Sequence, residues 1–164
     1  MFSSETYSIE DCYYYNSTGI SYTSNSTSDR QVSTGLESFE FNPPSKWELS
    51  FDLEASTYGK RFYLVSKAQS TTSNKYGLGG DIDTNACASV LRTTASDSVS
   101  GTKVSGTNSF KFSIDGTSLT QYVNGSSLRT KTVSWWDTYK PYVFKWGIWN
   151  TGTVTVTNIK VKPL

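Results

Sequence analysis

Histidine is absent from this chain of 164 residues, and cysteine occurs only at Cys12 and Cys87. Without histidine the chain has no Ser-His-Asp or Cys-His catalytic site and no histidine metal ligand. The two cysteines do not form a Cys-x-x-Cys pair, so a zinc site is not expected. A disulfide between them and two separate thiols facing a core are both open interpretations.

Net charge and long apolar runs are also scarce. The formal net charge is +1 and like charges do not cluster, so we expect no nucleic-acid partner. No apolar stretch approaches the about 18 residues that a membrane-spanning helix needs, so we expect no membrane insertion. Aromatic residues make up 15% of the chain and all hydrophobic residues only 35%. We therefore expect tyrosine and tryptophan to supply much of the buried area.

The strongest structural pattern lies in residues 110–132. Apolar and polar residues alternate over residues 110–115, as in a strand with one buried face. Asp-Gly at 115–116 and Asn-Gly at 124–125 are favoured tight-turn pairs because they tolerate positive φ. We therefore predict three antiparallel strands joined by two tight turns, over residues 110–115, 119–123 and 128–133.

Similar alternation predicts strands along the rest of the chain, most clearly over residues 47–53. We predict the other strands over residues 7–15, 31–41, 62–65, 76–80, 86–92, 142–149 and 154–161, with a weak strand within 93–109. About a dozen short strands separated by polar turns are typical of a β-sandwich or jelly roll.

The first 29 residues differ from the rest in composition. Residues 16–29 are almost all small and polar, which predicts a loop after the strand over residues 7–15. We divide the chain into an N-terminal strand or arm with its polar loop, residues 1–29, and a sandwich domain, residues 30–164. The arm either pairs with a neighbouring subunit or closes a sheet edge of its own domain, and we favour the second interpretation.

The strands and turns of residues 110–132, together with the ending WGIWNTGTVTVTNIKV, resemble the concanavalin A-like lectin and glucanase domains, laminin-G domains included. In that family a strand, an Asp-Gly turn, a Tyr-Val-Asn/Asp-Gly hairpin and a further strand lie side by side. The resemblance spans roughly residues 38–162. It implies a single all-β protein, an antiparallel β-sandwich of jelly-roll type. The chain also looks like the modules displayed on viral tail or capsid fibres and on microbial adhesins.

An aromatic cluster around one acidic residue is the candidate binding site. Its residues are Trp135, Trp136, Asp137, Tyr139 and Tyr142. An exposed aromatic ring stacks on the apolar face of a sugar, and a carboxylate accepts hydrogen bonds from sugar hydroxyls. Adjacent residues of an extended segment point to opposite sides, so we expect at least one of the two tryptophans to be exposed. The alternative is that one of them closes an end of the sandwich.

A carboxylate pair on the strand over residues 47–53 is the remaining enzymatic hypothesis. Glu48, Asp52 and Glu54 share one face of that strand and resemble the acidic strand of concanavalin A-like glycoside hydrolases. Ser50 takes the position between Glu48 and Asp52, which breaks the hydrolase spacing. We therefore favour an ordinary polar outer face.

A calcium site is a further hypothesis, at Asp81, Asp83 and Asn85. These residues place oxygen ligands at alternating positions, as calcium loops do, and related lectins often bind calcium. Asp and Asn are also ordinary turn residues, and that interpretation stays open.

Taken together, these patterns predict a non-catalytic module that recognises a cell-surface carbohydrate from the outside of a virion or an adhesin. Two alternatives remain: a structural virion protein anchored by residues 1–29, and a glycoside hydrolase. Other virion or adhesin subunits are further candidate partners, and the sequence leaves a homo-oligomer open.

Overall fold

The computed structural model describes residues 12–28, 30–69, 76–93 and 95–164. A short 3-10 helix spans Lys67–Gln69, and no helix of these described segments is long and apolar enough to cross a membrane. The strands found in the same segments are β1 (Tyr14–Asn16), β2 (Ile20–Ser24), β3 (Arg30–Ser33), β4 (Lys46–Ala55), β5 (Lys60–Ser66), β6 (Gly77–Ile82), β7 (Cys87–Arg92), β8 (Ser96–Gly101), β9 (Asn108–Asp115), β10 (Ser118–Val123), β11 (Ser126–Thr132), β12 (Tyr142–Ile148) and β13 (Gly152–Pro163).

These strands form two antiparallel sheets that pack face to face. The seven-stranded sheet has the order β1-β13-β4-β9-β10-β11, and β2 also pairs with β13. The six-stranded sheet has the order β3-β12-β5-β6-β7-β8. The predicted antiparallel β-sandwich is therefore confirmed, and the last strand lies beside the first, as the resemblance implies.

The predicted strands and tight turns of residues 110–132 are confirmed as β9, β10 and β11. Gly116, Asn124 and Gly125 adopt φ values of 61°, 49° and 81°, which is the conformation that tight hairpin turns require. A shift in register after Gln121 lets β11 begin at Ser126, two residues before the predicted start.

The predicted loop over residues 16–29 is wrong, because β2 lies within it. The hydroxyls of Ser21 and Thr23 hydrogen bond to the threonine hydroxyls opposite them on β13. Ile20 and Tyr22, on the other face of β2, pack against the core. A strand rich in serine and threonine forms here because its partner strand supplies matching hydroxyl groups.

Within residues 12–28 the N-terminal segment packs on its own domain, since β1 and β2 both pair with β13. Only Tyr14–Asn16 of the strand predicted over residues 7–15 is observed as β1, and residues 1–11 lie outside the described part. The division at residue 29 stays a prediction.

The strand predicted over residues 31–41 is too long. β3 ends at Ser33, where the next residue, Thr34, donates its backbone N–H to Glu37 Oε1 at 2.6 Å. Phe41 forms only an isolated bridge with Tyr142. The apolar residues after β3 therefore pack from a turn, although their spacing suits a strand.

Aromatic rings fill much of the space between the sheets. Phe51 stacks on Phe110 at 5.5 Å between ring centroids and meets Phe62 edge-on at 5.0 Å. Each such ring stabilises the fold by about 1.5–3 kcal/mol when it leaves water. Cys87 lies in this core, and both it and Cys12 are free thiols. Burial raises the pKa of Cys87 to about 11.

Candidate functional site

Two of the five aromatic-cluster residues predicted to bind sugar are buried. The Trp136 ring lies edge-on to Trp47 at 5.4 Å, and Tyr142 is fully buried beside it. Tyr142 donates its hydroxyl to the backbone oxygen of Trp136 at 2.9 Å. These contacts close one end of the sandwich, so we correct the prediction that Trp136 and Tyr142 present their ring faces to a sugar.

Trp135 and Tyr139 are half-buried and join a third ring, Tyr76. Tyr76 stacks on Tyr139 with 3.6 Å between centroids, and Trp135 meets Tyr76 edge-on at 5.2 Å. The segment is a turn, because the backbone N–H groups of Thr138 and Tyr139 donate to the oxygen of Trp135. The opposite-sides argument for an extended segment therefore does not apply to the two tryptophans.

Asp137 is the most exposed of the predicted binding residues, with 85% of its side chain accessible. Its Oδ1 lies 3.2 Å from Lys140 Nζ, which is a surface ion pair of small energetic value. The carboxylate is therefore open to a ligand from the solvent side.

Asp137 lies at the rim of a cleft of about 340 Å³, which we call the end cleft. Its floor is held by backbone hydrogen bonds of 2.7 Å from Gly116 to Ser45 and from Val133 to Thr117. The buried Nε1 of Trp136 has no hydrogen-bond partner among the described residues. The lining residues are Pro43, Pro44, Ser45, Gly116, Thr117, Val133, Ser134, Trp136 and Asp137.

The predicted carboxylate strand lies elsewhere, on the outer face of the seven-stranded sheet. Glu48 accepts a hydrogen bond from Ser113 at 3.0 Å, and Asp52 accepts one from Ser109 at 2.6 Å. Glu48 and Asp52 lie four residues apart on this face of β4, with Ser50 between them. A hydrolase role for this pair stays a hypothesis.

The three predicted calcium ligands occupy different environments. Asp81 belongs to β6 and is buried, whereas Asp83 and Asn85 are exposed in the turn that follows. Asp81 Oδ2 accepts a hydrogen bond from Arg61, and Asp83 Oδ1 accepts one from the Thr84 backbone. Within the described segments no group of three or more His, Cys, Asp or Glu side chains is placed to hold a metal. Calcium at these residues stays a prediction.

Asp81 instead belongs to a set of side chains that the sequence did not indicate, on the outer face of the six-stranded sheet. We call this set the face cluster: Arg61, Tyr63, Asp81, Arg92 and Trp149. Arg61 Nε donates to Asp81 Oδ2 at 2.9 Å, and its guanidinium lies 3.6 Å from the centre of the Trp149 ring. Arg92 Nη1 donates to the Tyr63 hydroxyl at 3.4 Å.

Burial determines the electrostatics of the face cluster. Tyr63 is fully buried and Asp81 is 5% exposed. Burial raises the pKa of Asp81 to about 6, because the neighbouring Arg61 offsets only part of the cost of removing the carboxylate from water. Asp81 Oδ1 has no partner among the described residues. Tyr63 and the carboxylate of this ion-pair network are thus buried, whereas Asp137 of the end cleft is exposed to solvent.

A glycine pattern is the one sequence signal that points to the face cluster. A Cβ at Gly79 would lie 2.0 Å from Tyr63 Cδ1, and a Cβ at Gly147 would lie 2.8 Å from its Cε2. Tyr63 therefore lies flat over two neighbouring strands that carry no side chain beneath its ring. Glycines within strands do indicate a close approach, but not which residue makes it.

Comparison with known proteins bears on the fold. No protein-family model and no curated protein sequence matches the chain. Among solved structures, the chain is similar to alginate lyase PA1167 from Pseudomonas aeruginosa, with 14% identity, a TM-score of 0.50, and coverage of 73% of this chain and 65% of that one. It is also similar to the laminarinase catalytic domain from Thermotoga maritima MSB8, with 11% identity, a TM-score of 0.56, and coverage of 77% and 66%.

A third similar structure is the Emp46p carbohydrate recognition domain, with 8% identity, a TM-score of 0.56, and coverage of 76% of this chain and 74% of that one. The chain thus spans just under two thirds of the lyase and laminarinase chains. At these identities the similarity shows the fold alone, and proteins of this fold include both enzymes and a carbohydrate recognition domain. The chain has a concanavalin A-like β-sandwich fold.

Proposed function

We propose that this domain binds carbohydrate in the end cleft without catalysing a reaction. The observation that carries the proposal is the position of the Asp137 carboxylate at the rim of a cleft lined by hydroxyl-bearing residues and by the rings of Pro43 and Pro44. A sugar offers hydroxyl groups at its edges and C–H groups on its faces, and this lining matches both. The volume of about 340 Å³ falls within the range of about 300–1,000 Å³ that is usual for ligand pockets.

The position of the cleft supports a preformed site. Its walls come from the turn between β9 and β10, from the segment before β4 and from the segment after β11. Trp136 joins these walls to the core through its contact with Trp47. A preformed cleft loses little conformational entropy when a ligand binds. It can therefore bind a polar ligand that makes only weak individual contacts.

The absence of a second carboxylate in the cleft supports a non-catalytic role. Asp137 is the only acidic residue among the lining residues of the described cleft. Paired carboxylates are the usual requirement for glycoside hydrolysis, and the chain has no histidine to replace one of them. The fold itself is compatible with either role.

We extend the proposal to the place where the domain acts, namely the outer surface of a virion or an adhesin, with a cell-surface glycan as its target. The richness of the chain in serine, threonine and tyrosine supports this placement, because such residues form adaptable polar contacts. Labelled protein should bind whole cells and lose binding to cells stripped of surface polysaccharide. Equal binding to both would contradict this placement.

The experiment is a binding screen of the full chain against neutral and acidic oligosaccharides, with two matched variants. Asp137→Ala removes the carboxylate of the end cleft. Glu54→Ala is the control, because Glu54 is an exposed carboxylate of β4 on the outer face of the seven-stranded sheet, outside the cleft. Release of reducing sugar from each bound oligosaccharide is measured in parallel.

We expect at least one glycan to bind, with affinity about tenfold weaker in Asp137→Ala and unchanged in Glu54→Ala. We expect no release of reducing sugar. Binding that survives Asp137→Ala would place the site elsewhere and contradict the proposal for the cleft. A folded protein that binds no glycan would favour a structural role instead.

A further inference from the structure

Two tyrosine rings are stacked on each other at the end of the sandwich where β5 ends and β6 begins. Tyr76 immediately precedes β6, and Tyr139 belongs to the turn before β12. Their ring centroids are 3.6 Å apart and their planes differ by 10°. We call these two residues the tyrosine pair. Neither of them lines the end cleft, so the proposed carbohydrate site gives this contact no role.

One buried residue, Ser66, binds the backbones of both tyrosines. It is the last residue of β5 and donates its backbone N–H to the Tyr76 oxygen at 2.7 Å. Its hydroxyl donates to the backbone oxygen of Tyr139 at 2.5 Å. Because Ser66 is fully buried, both hydrogen bonds lie in an environment of low dielectric, where such bonds are strong. Two segments that are far apart in the chain are therefore fixed beside each other.

A third ring, Trp135, holds the tyrosine pair from the side. It meets Tyr76 edge-on at 5.2 Å and Tyr139 edge-on at 6.4 Å between centroids. Trp135 also lies 4.2 Å from Trp136, which is buried against the core. Edge-to-face contact is a favoured arrangement of aromatic rings, so these contacts limit rotation of the two tyrosines. Both the backbones and the rings of the pair are thus held in place.

The two hydroxyl groups lie at the same end of the stack. A hydrogen-bond interaction with Tyr139 raises the pKa of the Tyr76 phenol, which requires the two hydroxyls to be neighbours. This alignment brings together the ring carbons beside the hydroxyls, the ortho carbons, at which tyrosyl radicals form bonds. Both side chains are half-buried, so an oxidant in solution can remove an electron from either ring. The stacking leaves no space for a second molecule between the rings.

We propose that the tyrosine pair is the site of an oxidative cross-link that joins its two rings as dityrosine and stabilises the sandwich. A one-electron oxidant takes one electron from each phenol, and each phenol releases its proton to water. The two radicals form a bond between their ortho carbons. The hydrogen on each of these carbons then moves to the phenolic oxygen of its own ring. The net change is the loss of two electrons to the oxidant and of two protons to water.

Contact between the two rings makes this reaction intramolecular. Radicals held side by side in the right orientation combine with each other faster than with a second protein molecule. The new bond joins Tyr76 to Tyr139, and a covalent link between distant residues restricts the unfolded chain. Since Cys12 and Cys87 are both free thiols, this bond is a cross-link that the cysteines do not provide. The site goes beyond the proposed function of the end cleft and does not depend on it.

The experiment oxidises the full chain, at low protein concentration, with light-generated tris(bipyridine)ruthenium(III) and persulfate. Dityrosine fluorescence is measured in the monomer band of a reducing gel. Trypsin then assigns the bond, because residues 76–92 form a fragment with Tyr76 as its only tyrosine and residues 132–145 form the fragment that contains Tyr139. Tyr76→Phe and Tyr139→Phe each keep a ring in the stack but cannot form a phenoxyl radical. Tyr58→Phe is the matched control, because Tyr58 is 46% exposed and lies outside the pair.

We expect the oxidised wild-type monomer to carry dityrosine that joins these two fragments, and to unfold at a higher urea concentration than the untreated protein. Tyr76→Phe and Tyr139→Phe should lose nearly all of the monomer fluorescence, whereas Tyr58→Phe should keep it. Oxidation in concentrated urea should give no cross-linked monomer, because the rings are then apart.

Three results would overturn the proposal. The first is a monomer without dityrosine, although oxidised tryptophan shows that the oxidant has reacted with the protein. The second is a cross-link that persists in Tyr139→Phe, which would assign the bond to Tyr142 of the same fragment. The third is a cross-linked monomer that unfolds at the same urea concentration as the untreated protein, which would show that the bond does not stabilise the sandwich.

Discussion

The Asp81→Asn substitution should remove a pH dependence of stability whose sign is opposite to that of most carboxylates. An ion-paired Asp usually has a lowered pKa in the folded state, so acid weakens the fold. Burial instead raises the pKa of Asp81 to about 6, from an ordinary value of 3.8. The folded state therefore binds a proton more tightly than the unfolded state, and the contribution of Asp81 to stability decreases as the pH rises from about 4 through 6.

The magnitude follows from the size of this difference. One pKa unit corresponds to about 1.36 kcal/mol, so ionisation of Asp81 costs the folded state about 3 kcal/mol at neutral pH. For a chain of this length that corresponds to a shift of roughly 6–12 °C in Tm. The asparagine side chain keeps an oxygen that can accept the Arg61 hydrogen bond but carries no titrating proton.

The assay is urea unfolding of wild type and Asp81→Asn between pH 4 and pH 7.5, which gives the free energy of unfolding for each at every pH. Other titrating groups cancel in the difference between the two proteins. We expect wild type to gain up to about 3 kcal/mol relative to the variant on acidification. Asp115→Asn is the control, because Asp115 forms only an exposed ion pair with Lys46. A wild type that loses stability relative to Asp81→Asn at low pH would show that Arg61 dominates, and would refute the reasoning.

Two further predictions concern charged groups that join separate parts of the sandwich. Lys60 is fully buried and donates to the backbone oxygens of Asn150 at 2.7 Å and Thr151 at 3.0 Å. Lys60→Met should therefore lower the free energy of unfolding by about 1–3 kcal/mol, and an unchanged urea midpoint would contradict this. The hydrogen bond from Lys131 lowers the pKa of Asp97, so Asp97 should stabilise the fold above about pH 4 and lose that contribution in acid. The Tm of Asp97→Asn should therefore fall less steeply in acid than the Tm of wild type. An equally steep fall would contradict a stabilising role for this ion pair, which joins β8 of one sheet to β11 of the other.

Strands with one buried face could be predicted from the sequence, because burial imposes alternation along the chain. Residues 47–53 show the alternation most clearly, and β4 places its apolar residues in the core. Hairpins were equally predictable, since their turns need residues that tolerate positive φ. By contrast, β2 has a serine- and threonine-rich face that looks like a loop until its partner on β13 is known.

The aromatic cluster is visible in the sequence, but its arrangement is not. Of its members only Trp136 and Asp137 line the end cleft, and the sequence does not show which ring is buried. A turn at Trp135 changes the direction of the following residues. That turn depends on hydrogen bonds that the backbone N–H groups of Thr138 and Tyr139 donate to the backbone oxygen of Trp135. Trp136 is directed to the core by Trp47, a contact between residues far apart in the chain.

Long-range partners also explain why the face cluster was missed. Asp81 looks like a turn residue, but Arg61 on the neighbouring strand makes it part of an ion pair within the sheet. Alternation identifies the outward-facing residues of each strand, but register decides which of them become neighbours.

The most direct test of carbohydrate binding in the end cleft is a titration followed by the indole N–H signals of the five tryptophans in a two-dimensional NMR spectrum. Trp136 lines the cleft with an Nε1 that has no partner among the described residues, whereas Trp146 is buried between the sheets. With a bound oligosaccharide, we expect the Trp136 signal to shift together with the backbone signals of Ser134 and Asp137, and the Trp146 signal to stay in place. Saturable binding that leaves Trp136, Ser134 and Asp137 unchanged would contradict the account.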